Sequence, residues 1–145
     1  MALPFAPANP EHTIEEDRPT GVILITVKGF FDLATLRIHF AQCAAIVGCW
    51  RAADRPIRVL IDAVDLKPHS PEGQACVQEA TSRIYRSGDK VAIVVCSSLV
   101  KMQMRRALRQ PDILNLFISK SAALVWLDAF NHPAVVYPSA IQPQP

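Results

Sequence analysis

The chain has 145 residues, of which 50% are hydrophobic and 19% are charged, and its formal net charge is +2. This composition excludes a chain that stays disordered for lack of burial, and the length suits one domain with a hydrophobic core. The small net charge gives no reason to expect nucleic acid as a partner. Uninterrupted apolar runs are far shorter than the ~20 residues of a membrane-spanning helix, so no membrane insertion is expected. The first seven residues lack the pattern of a secretory signal, which favours a cytoplasmic location.

Prolines are concentrated at both ends of the chain. Proline removes an amide donor and fixes φ, so we predict extended tails at residues 1–12 and 132–145 around one domain at residues 13–131. These tails carry more apolar side chains than a free tail usually exposes. They either cover an edge of the domain or pair across the two-fold axis of a homodimer. The side chains concerned are Leu3, Phe5, Val135, Val136, Tyr137 and Ile141.

Strand patterns and helix patterns alternate between the tails. The acidic segment Thr13–Asp17 is a candidate edge strand, and the β-branched run Val22–Lys28 is typical of a strand covered on both faces. Asp32 is placed to cap the following helix, which has an apolar stripe at spacings of three and four residues. The stripe consists of Leu33, Leu36, Phe40, Cys43, Ala44, Val47 and Trp50.

The strand–helix unit then repeats three times. Ser70 caps the second helix with Pro71 in its first turn, and Ser97-Ser98 opens the third helix. Four such units predict an α/β domain with a mostly parallel sheet of four to five strands and helices packed on it. The remaining strands are predicted at residues 57–62, 91–96 and 114–119, and the remaining helices at residues 70–87, 97–110 and 121–130.

Three local patterns resemble the STAS fold, the SpoIIAA-like domain of anti-sigma-factor antagonists. They are Gly29-Phe30-Phe31-Asp32 before the first long helix, the apolar strand and serine turn at residues 93–98, and the closing strand and helix at residues 116–127. The resemblance implies a single-domain SpoIIAA-like (STAS) fold. It also implies a non-catalytic regulatory or interaction module with a protein partner.

Signalling members of that family carry a regulatory serine in an Asp-Ser-Ser-Gly turn. The matching stretch here is Ser70-Pro71-Glu72-Gly73, in which proline and glutamate replace the paired serines. Glutamate supplies part of a phosphate's negative charge permanently. We therefore interpret Ser70 as a helix cap and expect no phosphoswitch.

Strand carboxyl ends and helix N-termini converge at one edge of such a sheet, which is where open α/β sheets usually bind. The predicted partner surface is this edge together with the basic side of the third helix. Seven basic side chains against one acid at residues 83–110 fit either a solvated face or an anionic partner surface. Tyr85 is the single aromatic side chain in this segment, so the series of aromatic side chains on which single-stranded nucleic acid stacks is missing. The predicted surface residues are Asp65, Ser70, Glu72, Ser97, Ser98, Lys101 and Arg105.

No catalytic motif, metal site or cofactor site is predicted. Cys96 precedes a helix N-terminus, but Met102 stands where a phosphatase needs arginine, so we interpret Cys96 as a core residue. His39 and Cys43 lie one helical turn apart, yet two ligands do not make a zinc site. Asp62 is expected to end its strand by accepting loop amides. The four cysteines contain no CxxC pair and are expected to stay reduced.

A second class of function stays open, which is a small-molecule or lipid carrier. Phe30, Phe31, Phe40 and Trp50 would line a cavity between the first helix and the sheet. The same four residues also satisfy the pattern of an ordinary core. A small apolar ligand is therefore the alternative to a protein partner.

Overall fold

The computed structural model describes residues 9–108 and 110–129. It confirms the predicted α/β class, and the ends of the elements lie within three residues of the predicted ends. The predicted tail side chains and Arg109 lie outside the described residues, so the domain limits and the homodimer stay predictions. The elements are β1 (Glu11–Asp17), β2 (Val22–Lys28), α1 (Leu33–Ala52), β3 (Arg58–Asp62), α2 (Pro71–Ile84), β4 (Lys90–Val94), α3 (Ser98–Ala107), β5 (Leu114–Phe117) and α4 (Lys120–Asp128).

The five strands form one mixed sheet in the order β1-β2-β3-β4-β5. β1 is antiparallel to β2, with Glu11 opposite Lys28, and the other three pairs are parallel. The crossovers through α1, α2 and α3 all move in one direction, so right-handed connections place these helices on one face. α4 follows the last strand and packs against β3 and β4 on the other face.

Both faces of the central strands are therefore buried, each in its own apolar cluster. Ile23 and Ile25 pack with α1 and α2, whereas Val22 packs with Leu127 of α4. Side chains alternate between the two faces of a strand, so a strand covered on both faces is apolar at every position. This is why β2 is apolar at successive positions from Val22 to Ile25.

The buried stripe through which α1 packs on the sheet consists of Leu36, His39, Cys43, Val47 and Trp50. Leu33 and Phe40 of the predicted stripe are only half-buried. Ala44 is exposed, and His39 is only 5% exposed. His39 lies between Leu36 and Cys43 on the helix surface, where residues three and four apart are neighbours. α1 is also long and apolar enough, by length and composition alone, to cross a membrane. The buried stripe accounts for part of that apolar composition, whereas Ile38 of the same helix is 57% exposed.

Two arginines anchor loops to the helices. The Arg51 guanidinium of α1 donates to both carboxylate oxygens of Asp89 and to the Ile84 carbonyl oxygen at 2.8 Å. Asp89 Oδ2 also accepts from the Arg86 amide at 2.9 Å. Buried Arg58 donates to the carbonyl oxygens of Thr20 and Leu127. These bonds fix the turn between β1 and β2, the loop after α2 and the end of α4.

The four cysteines are free thiols, and their burial differs from the prediction in one case. Cys43 is buried and Cys76 is half-buried, while Cys49 and Cys96 are exposed. Cys96 was predicted as a core residue, and that prediction is wrong. β4 ends at Val94, so Cys96 lies in the turn before α3 rather than in the strand.

Candidate functional site

The parallel strands β2 to β5 all end at the same edge of the sheet, which we call the carboxyl edge (residues 29–32, 63–70, 95–99 and 118–119). The first two loops of this edge are joined by backbone bonds. The Gly29 amide donates to the Asp65 carbonyl oxygen at 3.0 Å, and the Lys67 amide donates to the Gly29 carbonyl oxygen at 2.9 Å. Gly29 has a φ of 82°, in the left-handed region that favours glycine, which explains the residue type at this junction.

Asp65, Ser70 and Glu72 all lie where the chain passes from β3 into α2. Asp65 is exposed and lines an open groove with Lys28 and Cys96. The Ser70 side chain is half-buried, and its Oγ accepts from the Gly73 amide at 3.0 Å, which confirms the predicted cap. Glu72 is exposed in the first turn of α2. The Ser70 Oγ, which a phosphoswitch would phosphorylate, is therefore the atom that caps α2.

Gly73 explains how α2 can begin so close to α1. A Cβ atom at this position would lie 3.2 Å from Leu36 Cδ1 and 3.1 Å from His69 Cβ. Such separations are tighter than ordinary van der Waals contact, so Leu36 and His69 would have to shift by a few tenths of an ångström to admit a side chain. Glycine at this position permits the close packing of α2 on α1.

The other four predicted surface residues follow β4. Ser97 is the N-cap of α3, and its Oγ accepts from the Val100 amide at 3.2 Å. Ser98 is the exposed first residue of that helix. Lys101 lies about 100° around the helix from Val100, and Arg105 lies one turn further along. The structure thus brings the two serines to the carboxyl edge, whereas Lys101 and Arg105 lie on the flank of α3.

Four large apolar side chains of this edge were missed as surface residues. Phe30, Val64, Leu99 and Ile118 are between 40% and 63% exposed. They follow β2, β3, β4 and β5 respectively, so each parallel strand contributes one of them. The available signal was position: Phe30, Val64 and Ile118 lie within two residues of a strand end, where a side chain leaves the cover of the sheet, and Leu99 lies in the first turn of α3. We call these four residues the apolar row.

A groove and a cavity lie beside the carboxyl edge. The groove, of about 260 Å³, separates α2 from α3 and is lined by Val77, Val100 and Met104. The cavity, of about 80 Å³, lies between the sheet and helices α1 and α2. The two spaces share the lining residues Ala63, Leu66, His69, Val77, Met104 and Leu108, so the groove and the cavity adjoin each other.

Two of the four aromatic residues predicted to line this cavity do so. Phe31 and Phe40 are lining residues, whereas Phe30 belongs to the exposed apolar row. Trp50 lies elsewhere because its indole N–H donates to Glu16 Oε1 at 2.6 Å, under the Arg55 guanidinium. Trp50 anchors β1 to α1 instead.

The polar groups of the cavity are all held in their uncharged forms. Burial lowers the pKa of His39 to about 4, with a further contribution from nearby His12. Burial raises the pKa of the Cys43 thiol to about 12 and also raises that of the Tyr85 phenol. Burial lowers the pKa of His69 as well. Near pH 7 the cavity therefore presents neutral imidazoles, a thiol and a phenol.

The His39–Cys43 pair is close but is not a metal site. Cys43 Sγ lies 3.5 Å from His39 Nε2. Among the described residues no group of three or more His, Cys, Asp or Glu side chains is placed to hold a metal ion. Because the thiol is protonated, this pair also lacks the thiolate that a nucleophile would need. Asp62, considered above for the end of β3, accepts from the Val64 amide at 3.2 Å, as predicted.

No family model matches the chain, and no curated protein sequence matches it. Solved structures do resemble it. An anti-sigma factor antagonist from Mycobacterium paratuberculosis has a TM-score of 0.55 and 14% identity, over 88% of this chain and 98% of that protein. An uncharacterised DUF3478-family protein with a SpoIIAA-like fold from Shewanella loihica has a TM-score of 0.56 and 20% identity, over 81% and 93% of the two chains. The chain has the SpoIIAA-like (STAS) fold that its sequence patterns predicted.

Proposed function

We propose that the chain is a non-catalytic, cytoplasmic regulatory module that binds a protein partner through the carboxyl edge. The observation that carries this proposal is the apolar row, Phe30, Val64, Leu99 and Ile118, exposed along a single edge. Exposed apolar side chains grouped in this way, with polar residues around them, are typical of protein interaction sites. Asp65, Ser70, Glu72, Ser97 and Ser98 supply the polar surroundings, and Lys101 and Arg105 extend them along α3.

The charges at this edge favour a protein partner over an anionic surface. Basic and acidic side chains are both exposed there. The basic residues are Lys28, Lys67 and Lys120, and the acidic residues are Glu11, Asp32, Asp65 and Glu72. Such a mixture of signs gives specific pairing rather than general attraction to a polyanion. One structurally similar protein is described as an anti-sigma factor antagonist, a name that denotes action on another protein. The likeness supports the same class of activity here.

The partner surface is tested by single substitutions in the apolar row. After capture of the partner from the native host, Leu99→Ser and Phe30→Ser should each weaken its binding by about tenfold or more, as loss of an interface anchor does. Binding is measured by titration calorimetry with the purified partner. Val125→Ser is the matched control, because Val125 is 71% exposed but lies on α4. Equal losses in the Leu99 and Val125 variants would exclude the carboxyl edge.

Two variants at the start of α2 distinguish the role of Ser70 as a helix cap from the role of Glu72 in partner binding. Glu72→Lys should also weaken binding, because it reverses a charge beside the apolar row. Ser70→Ala should cost about 1 kcal/mol of stability through the lost cap and leave binding nearly unchanged. A stoichiometric phosphate on Ser70 in protein from its own host would instead restore the phosphoswitch.

The cavity favours a second candidate function, that of a carrier for a small molecule. The observation in its favour is an apolar cavity that adjoins a groove at the protein surface. Native mass spectrometry of gently purified protein tests it. We expect a stoichiometric added mass that denaturation releases, and an unmodified apo mass from the native host would remove this candidate.

A further inference from the structure

We propose that the cavity and groove bind an uncharged ring molecule that carries a single hydroxyl group, with that hydroxyl hydrogen-bonded to His39 at the inner end. This inference rests on the carrier function proposed above and adds the chemical class of the ligand. Three properties of the site lead to it: its volume, its unpartnered imidazole nitrogens and its lack of charge.

The volume sets the size of the ligand. The cavity of about 80 Å³ and the groove of about 260 Å³ together reach the lower end of the range of ~300–1,000 Å³ that ligand pockets occupy. Space of this size accommodates one or two fused rings. Phe31, Phe40 and Tyr85 line the inner part and offer aromatic surfaces to such rings.

The imidazole nitrogens point to a hydrogen-bonding group on the ligand. His39 lines the cavity, and its Nδ1 is buried without a hydrogen-bond partner. Its Nε2 faces the Cys43 thiol. The Nδ1 of His69, which lines both spaces, is also buried and unpartnered. Leaving a buried polar atom unpaired is costly, and a ligand hydroxyl relieves that cost because it can both donate and accept.

The charge of the site excludes an ionised head group at the inner end. The described lining of the cavity contains no Asp, Glu, Lys or Arg. Its titratable groups, His39, Cys43, His69 and Tyr85, are neutral near pH 7 for the reasons given above. An ion placed here would lose its hydration without gaining an opposite charge. Lys67, at the groove, is the nearest lining residue with a charge.

Three probes with the same ring system test the class of ligand on the full-length protein. They are 1-naphthol, naphthalene and the anion 1-naphthoate, each titrated at pH 7.5 with detection by NMR chemical shifts. We expect 1-naphthol to bind at least tenfold more tightly than 1-naphthoate, with naphthalene between them. Equal or tighter binding of the anion, or no binding of any probe, would overturn the inference.

Two pairs of variants locate the bound probe. His39→Leu should abolish the preference for 1-naphthol over naphthalene, whereas His12→Leu should keep it, because His12 touches the His39 ring but does not line the cavity. Val77→Trp should fill the space where the groove and the cavity adjoin and abolish binding, whereas Val125→Trp on α4 should not. If Val77→Trp fails to fold, the comparison of His39→Leu with His12→Leu still tests the proposal. Preference retained in His39→Leu contradicts the assignment.

Failure of the neutral-ligand inference can be told apart from failure of the carrier function. A charged lipid that co-purifies in native mass spectrometry would leave the carrier function standing and overturn the neutral ligand. Binding of 1-naphthol without any co-purifying mass would support the site while removing the carrier function.

Discussion

Replacing Asp89 with alanine should destabilise the protein by about 3 kcal/mol. The Asp89 carboxylate is almost fully buried and accepts bonds from the Arg51 guanidinium and the Arg86 amide. Removing it leaves the Arg86 amide without its acceptor, and the guanidinium keeps its bond to the Ile84 carbonyl oxygen but loses its carboxylate partner. We expect the lower end of the range for breaking a buried pair, because 20% of the Arg51 side chain still contacts water. Urea unfolding monitored by circular dichroism measures the change.

An exposed ion pair on α2 provides the control for this substitution. Arg83 and Glu79 approach to 3.9 Å, and both side chains are mostly exposed. Glu79→Ala should therefore change the free energy of unfolding by less than about 0.5 kcal/mol. Comparable losses in the Asp89 and Glu79 variants would show that the buried carboxylate does not hold the loop after α2 to α1.

The fold could be predicted from sequence because its determinants are local. A strand buried on both faces needs an apolar run, and Val22–Ile25 is such a run. Helix starts are fixed by caps within four residues of chain, and Asp32, Ser70 and Ser97 all act as predicted. Each of these signals lies inside its own element, so no knowledge of distant contacts was required.

The candidate site was predicted less completely because its residues are defined by distant contacts. Trp50 fits the apolar stripe of α1, but its bond to Glu16 across 34 residues removes it from the cavity. His39 breaks the hydrophobic pattern and yet is buried, because β1 places His12 against it, with ring centroids 5.0 Å apart. Neither pairing leaves a signal in the local sequence. The carboxyl edge itself was predictable, because the parallel strands of an open α/β sheet all end on the same side and binding sites lie there.

The two proposed sites lie side by side, and the loop from Ala63 to His69 connects them. Val64 belongs to the apolar row, while Ala63 and Leu66 line both the groove and the cavity. Backbone bonds from Gly29 hold this loop to the end of β2. A ligand in the groove would therefore contact the same loop that a protein partner contacts on its outer side.

Acidification should destabilise the protein through His39. Burial lowers its pKa in the folded state to about 4, against about 6.5 in the unfolded chain. Between these values the unfolded chain binds a proton that the folded protein does not bind. The His39 contribution is therefore complete above pH 6.5 and is lost progressively as the pH falls to 4, by about 3 kcal/mol in total.

His39→Leu isolates this contribution from that of the carboxylates, which both proteins share. The groups that face His39 are His12, the Cys43 thiol and the rings of Phe31 and Phe40, and none of them is a carboxylate that would offset the effect. Between pH 7.5 and pH 5 the wild-type protein should lose about 2 kcal/mol more stability than the variant. Urea unfolding of both proteins at both pH values gives the change in the free energy of unfolding for each protein. Comparing the two changes cancels any constant difference in stability that the leucine causes. Equal changes in the two proteins would mean that His39 titrates normally and that the core between β1 and α1 admits water.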